Sequence, residues 1–187
     1  VVSIVDETAD ITDAAAKIAA SKTFDNATSC SSENAVIAVD AVYDKLVAAL
    51  AAEGGYCLDA AQTAHLEGIH WHNGKLTSKL LAKDIDVVLA ETGFAGTAPD
   101  NTSFLVAPQS EFGPDHPMTG EKMSRFLALH RAGDFDEAME KAVAIQNHMG
   151  AGHSLSLHSA DDGRARRLAM EARTCRVIVN QAHCFAT

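Results

Sequence analysis

Apolar positions along the chain alternate between a helical spacing and short uninterrupted runs, and that alternation predicts the elements. Ile11, Ala14, Ala15, Ile18 and Ala19 share one face of a helix behind Asp10, a suitable N-cap, and the pattern carries the helix to about Phe24. A polar, turn-rich stretch over 25–32 then leads to Ala35-Val36-Ile37-Ala38-Val39, short and β-branched enough for a buried strand. Asp40 is placed to cap a second helix carrying Val42, Leu46, Val47 and Leu50, which stops at Gly54-Gly55.

The alternation continues downstream. Helices are expected over roughly 59–71 and 78–92, a break over 93–100, a strand at 103–107 and a loop from Pro108 to Gly120. Further strands are expected at 126–129, 153–158 and 176–180, with helices from Phe135 to Met149 and over 161–173; Val1-Val2 read as a strand already under way. Strands separated by helix-length segments need right-handed crossovers. The fold expected is therefore α/β, a three-layer sandwich whose mostly parallel sheet is covered by helices on both faces. No repeat or linker divides residues 1–187, so one domain is expected. In open α/β sheets chemistry collects beyond the carboxyl ends of strands, and the polar segments adjoining strands are 21–33, 108–124 and 148–153.

Composition narrows the function. The 187 residues are 47% hydrophobic and 21% charged, which suits a packed core, and the net charge of −10 disfavours nucleic acid and anionic membranes as partners. No apolar run approaches the roughly 20 residues that span a bilayer. Cys30, Cys57, Cys175 and Cys184 show no C-x-x-C spacing, which speaks against a zinc site and for a reducing, cytoplasmic setting. His65, His70 and His72 lack a supporting carboxylate pattern and read as an exposed helix end, so no metal is expected. Arg164, Arg166, Arg167, Arg173 and Arg176 read first as a solvated face and second as a phosphate-binding run. Asp115-His116 has no third partner for a hydrolase triad. Cys30 lies in a polar stretch before a strand, where a thiol is accessible and backbone N–H groups can stabilise a thiolate; a small buried hydrophobe is the ordinary alternative.

The segment Ser21-Lys22-Thr23-Phe24-Asp25-Asn26-Ala27-Thr28-Ser29-Cys30-Ser31-Ser32-Glu33 resembles the nucleophile segment of the coenzyme A-acylating branch of the aldehyde dehydrogenase superfamily. Gly120-Glu121-Lys122-Met123-Ser124 is similar to the Glu-Lys-Leu-Ser segment of those enzymes, and Met149-Gly150-Ala151-Gly152-His153-Ser154 to their Gly-Gly-x-Gly-His-Thr turn. All three motifs fall in family order, and around 21–44 the sulfoacetaldehyde-oxidising members look closest. The resemblance implies that Cys30 attacks a short aldehyde, that NAD or NADP takes the hydride, and that coenzyme A accepts the acyl group from a Cys30 thioester. It further implies that Glu121 binds the nicotinamide ribose and that His153 acts as acid or base.

Three positions depart from the family pattern: Ala27 where Gly is usual, which restricts positive φ, Arg125 where Pro is common, and Met149 where a Gly stands. The family's nucleotide-binding domain has no counterpart in these residues. That domain of the same enzyme is thus an expected partner, as are further copies of the chain in a homo-oligomer. The alternatives are a hydrolytic aldehyde dehydrogenase and a non-catalytic binding module that keeps the fold.

Overall fold

The computed structural model describes residues 1–186. It contains β1 (Val2–Val5), α1 (Ile11–Thr23), β2 (Ala35–Val39), α2 (Asp40–Ala52), β3 (Gly55–Cys57), α3 (Ala60–His70), β4 (Trp71–His72), β5 (Lys75–Leu76) and α4 (Ile85–Thr92). β6 (Phe104–Gln109), β7 (Phe126–Ala132), α5 (Phe135–Met149), β8 (Gly152–His158), α6 (Asp162–Glu171) and β9 (Thr174–Val179) follow. Seven strands form one sheet in the order β3-β6-β7-β2-β1-β8-β9, with every neighbouring pair parallel. The expected α/β sandwich is what forms.

The central strand β2 is apolar throughout, as burial on both faces demands, and Ile4, Val5, Ile37 and Ala38 have no exposed surface. The chain moves one way along the sheet from β1 to β3 and the other way from β3 to β9. Right-handed crossovers therefore put α1 and α2 on one face and α3 to α6 on the opposite one. Alternation within β6 shows the consequence. Phe104 and Val106 join the core of α1 and α2, whereas Leu105 and Ala107 join a second core with Leu66, Leu80, Val88 and Met118. Each fully buried Leu or Ile contributes about 1.5–3 kcal/mol.

Local departures from the sequence reading have physical reasons. Asp40 does not cap α2: Val39 occupies the cap position, Asp40 is the first helical residue, and its carboxylate pairs with Arg131 of β7. β3 was not expected because three residues are too short for a pattern; Gly54, at φ +88°, turns the chain so that Gly55 can lie against Leu50 and Phe104. The helix expected over 78–92 begins only at Ile85, because Ala82 sits at φ +55° with its N–H on the Met123 carbonyl. The β4–β5 hairpin also lay unread, although Asn73-Gly74, both at positive φ, is a strong hairpin signal.

Candidate active site

The three polar segments do meet, but at the opposite rim of the sheet from the one expected. The Cys30 turn leads into β2, the Glu121 loop into β7 and the His153 turn into β8, so the site lies at the amino ends of the strands. Length explains the reversal. At the carboxyl rim β2 runs directly into α2, and only Gly133-Asp134 joins β7 to α5, which leaves little chain for chemistry. Cys30, Glu121 and His153 line one cavity of about 250 Å³, with Asn34, Ile145 and Gln146 among its other walls.

Cys30 is exposed and follows an unusual backbone. Asp25, Asn26 and Ala27 hold φ of +47°, +52° and +58°, three left-handed residues in succession after α1. Each costs a non-glycine residue about 1–2 kcal/mol, so the surroundings must hold them. Asn26 donates to Asp84 (2.9 Å) and accepts from Arg125 Nε (2.7 Å), while Thr28 Oγ1 donates to the Asp25 carboxylate (2.5 Å) and carbonyl (2.8 Å). Ala27 thus adopts the conformation that its side chain was expected to resist. Arg125, another departure from the family pattern, supplies a tether. Beyond it, Ser32 N–H closes on the Ser29 carbonyl (2.9 Å), and among the described residues nothing accepts the Cys30 N–H.

Glu121 is exposed and stands between this cavity and a neighbouring one of about 220 Å³, lined by Trp71, Leu76, Pro117 and His148 among others. Its loop is pinned from below. Lys122, wholly buried, donates from Nζ to the carbonyls of Met118 (2.6 Å) and Gly120 (3.0 Å), and its N–H meets Asn34 Oδ1 (2.9 Å). Burial holds this ammonium well below the ordinary lysine value.

His153 is partly buried, and Gly150 and Gly152 take φ of +108° and +118° on either side of Ala151, a region that glycine alone enters readily. Met149 ends α5 as a helical residue, so no glycine is needed there. His153 Nδ1 bonds Ser154 Oγ (2.8 Å), and burial lowers its pKa below the ordinary imidazole value. That leaves Nε2 outside this bond.

The remaining candidates serve structure. His70 is buried rather than exposed, bonded to the Lys122 carbonyl (2.7 Å), and His65 bonds the Thr92 carbonyl (3.2 Å). Among the described residues no three His, Cys, Asp or Glu side chains group as a metal site. Arg164 pairs with Asp6 and Glu7, and Arg167 with Asp136 and Glu171. His116 lies 3.4 Å from Glu111, outside the cavity. No described helix is long and apolar enough to cross a membrane. Sequence reasoning passed over Lys22, Glu33 and Lys122, although three charged residues inside otherwise packed motifs were visible.

No family model matches the chain. It is 46% identical over 187 residues to the sulfoacetaldehyde dehydrogenase (acylating) of Cupriavidus necator, covering 100% of this chain and 38% of that protein. Among solved structures, the acetylating aldehyde dehydrogenase of Geobacillus thermoglucosidasius superposes with TM-score 0.93 at 30% identity, covering 99% of this chain and 40% of that one. A propionaldehyde dehydrogenase from the Clostridium phytofermentans fucose utilisation bacterial microcompartment superposes with TM-score 0.88 at 30% identity, covering 97% and 41%. The chain spans about two fifths of the length of these relatives.

Proposed function

We propose that this chain, a stretch of the coenzyme A-acylating aldehyde dehydrogenase family, is the domain that carries the enzyme's nucleophilic thiol. The observation that carries the reading is one cavity shared by Cys30, Glu121 and His153. Cys30 attacks the aldehyde carbon to form a thiohemiacetal, and its N–H, which no described residue accepts, is available to the developing oxyanion. NAD(P)⁺, when bound, is the hydride acceptor that lets the oxyanion collapse to a thioester on Cys30. The coenzyme A thiol then attacks that thioester and releases acyl-CoA, and His153 takes up the thiol proton in its unshared ring nitrogen.

The cavity fits only part of a dinucleotide. About 250 Å³ is below the roughly 300–1,000 Å³ of ordinary ligand pockets, and no Lys or Arg lines it to meet phosphates. The exposed Glu121 carboxylate between two cavities suits the diol of a nicotinamide ribose. The rest of the cofactor is assigned to a nucleotide-binding domain of the same enzyme. The lack of a disulfide among the described residues is consistent with a cytoplasmic enzyme, and we take it to act as a homo-oligomer. The Cupriavidus relative acts, by its name, on sulfoacetaldehyde, and a short aldehyde of that kind is the first substrate to try. A hydrolytic aldehyde dehydrogenase and a non-catalytic module are not favoured beside acylating relatives.

The test is aldehyde-dependent NADH formation by the full-length enzyme, with and without coenzyme A, for wild type and Cys30→Ser. Acyl-CoA formation abolished in the variant is expected. CoA-independent turnover to free acid would sink the acylating reading, and unchanged activity in Cys30→Ser would sink the nucleophile.

A further inference from the structure

Lys22 is among the largest fully buried side chains of the described residues, although the rest of its helix face is apolar: Ala14, Ala15, Ile18 and Ala19. Burying an ammonium costs several kcal/mol unless its hydrogen bonds are used. They are used on the Cys30 segment. Nζ donates to the Glu33 carbonyl (3.0 Å) and reaches Ser32 Oγ (3.4 Å). Ser32 closes the turn in which Cys30 stands, and Glu33 follows it directly, two residues before β2 picks up the ladder at Ala35. Between the last turn of α1 and this point the chain makes one distorted 3-10 turn, Phe24–Ala27, which carries the three left-handed residues, and then no regular element, so its own backbone gives it little support.

We propose that Lys22 is a positioning residue of the reaction, its ammonium reaching from α1 across the base of the loop to fix the Ser32–Glu33 end of the turn that aims Cys30 into the cavity. The inference rests on the reading of Cys30 as nucleophile. Lys122 treats the facing loop in the same way, holding the carbonyls of Met118 and Gly120 just ahead of Glu121, with Asn34 joining the two loops. The Cys30 and Glu121 loops thus each have an ammonium at their base. The charged and titratable groups around Lys22 are Glu33, Cys184, Glu121, Lys122 and His70. Burial brings Lys22 down to about 8 and pushes Glu33 up to about 7, so near neutrality the cation is largely intact while its counter-charge is half quenched.

The test compares Lys22→Met with Glu33→Gln in the full-length enzyme. Lys22→Met removes the donor. Glu33→Gln alters the counter-charge but keeps the backbone carbonyl that Lys22 holds. For Lys22→Met, kcat is expected to fall at least tenfold with the aldehyde KM within threefold, because a misplaced nucleophile lowers turnover more than binding. The rate of Cys30 alkylation by iodoacetamide should also fall at least twofold, since the turn no longer holds the thiol open to the cavity. Glu33→Gln should keep kcat within threefold of wild type. Wild-type kcat and alkylation rate in Lys22→Met would overturn the proposal, as would an equal loss in Glu33→Gln. If Lys22→Met does not fold, Ser32→Ala, which removes one Lys22 contact, decides: a kcat reduced threefold or more sustains the proposal and an unchanged one overturns it. Alkylation needs neither cofactor, so it reports on Lys22 even if coenzyme A proves not to be the acceptor.

Discussion

Lowering the pH should destabilise this chain steeply and well before carboxylates of ordinary pKa titrate. His70, His130, His158 and His183 are at most 2% exposed, and burial lowers the first three to about 4 and His183 to about 3. In the unfolded chain each titrates near 6.5, so between these values the unfolded state binds protons that the folded state refuses. The contribution is intact above about 6.5 and is lost as pH falls toward 4. From pH 7 to 5.5 linkage gives a loss of about 1.2 kcal/mol for each imidazole, or about 5 kcal/mol for the four. Glu33 acts in the opposite sense. Raised to about 7 by burial, it gains a proton on folding over the same range and returns about 1.6 kcal/mol. The net loss is about 3 kcal/mol, a large share of the roughly 5–15 kcal/mol of an ordinary domain. Urea unfolding at each pH, followed by the fluorescence of Trp71, measures it directly. A stability constant to within about 1 kcal/mol between pH 7 and 5.5 would refute the reasoning, because buried neutral imidazoles cannot be silent in that window.

Three other outcomes follow from particular contacts. Asn26→Ala keeps a left-handed residue but loses the bonds to Arg125 and Asp84, so urea unfolding should show a cost of about 2 kcal/mol; Asn26→Gly should cost about 1 kcal/mol less, and equal costs would remove strain from the account of this loop. Leu155→Ala, at a fully buried position paired with Val2, should lower stability by about 2–5 kcal/mol without abolishing Cys30 labelling. Brief iodoacetamide treatment followed by peptide mass analysis should modify Cys30 first and buried Cys184 last. Cys175 is the competitor because it too is exposed, but its thiol donates to the His153 carbonyl, which favours the less reactive protonated form; labelling of all four at one rate would contradict an accessible thiol at Cys30.

The helices and long strands were legible because their signals are local. The face of α1, the apolar run of β2 and the Ser/Leu alternation of β8 each follow from burial of that segment alone. The short strands β3, β4 and β5 depend on partners distant in sequence or on a two-residue turn, and the period of three residues cannot be read. The site was legible as three motifs, but not its rim: which end of the sheet carries the chemistry depends on where the long connections fall, as the near-absent link from β2 to α2 shows. The buried lysines were missed for a related reason. Lys22 and Lys122 look like ordinary surface residues in sequence, and only the path of the two loops over them turns them inward.

The position of β1 has a consequence for synthesis. It sits between β2 and β8, and the residue pairing that places Val2 beside Ala35 on one edge places it beside Leu155 on the other. At roughly 5–20 residues per second, on the order of ten seconds separate the emergence of the first partner from that of the second. Throughout that interval one edge of a mostly apolar strand stands open in a half-built sheet, a template for pairing with a neighbouring ribosome's product. The arrival of β8 therefore does more than add a strand: it closes the period in which this chain is most exposed to misassembly, and makes the rate of translation through α5 part of its folding yield.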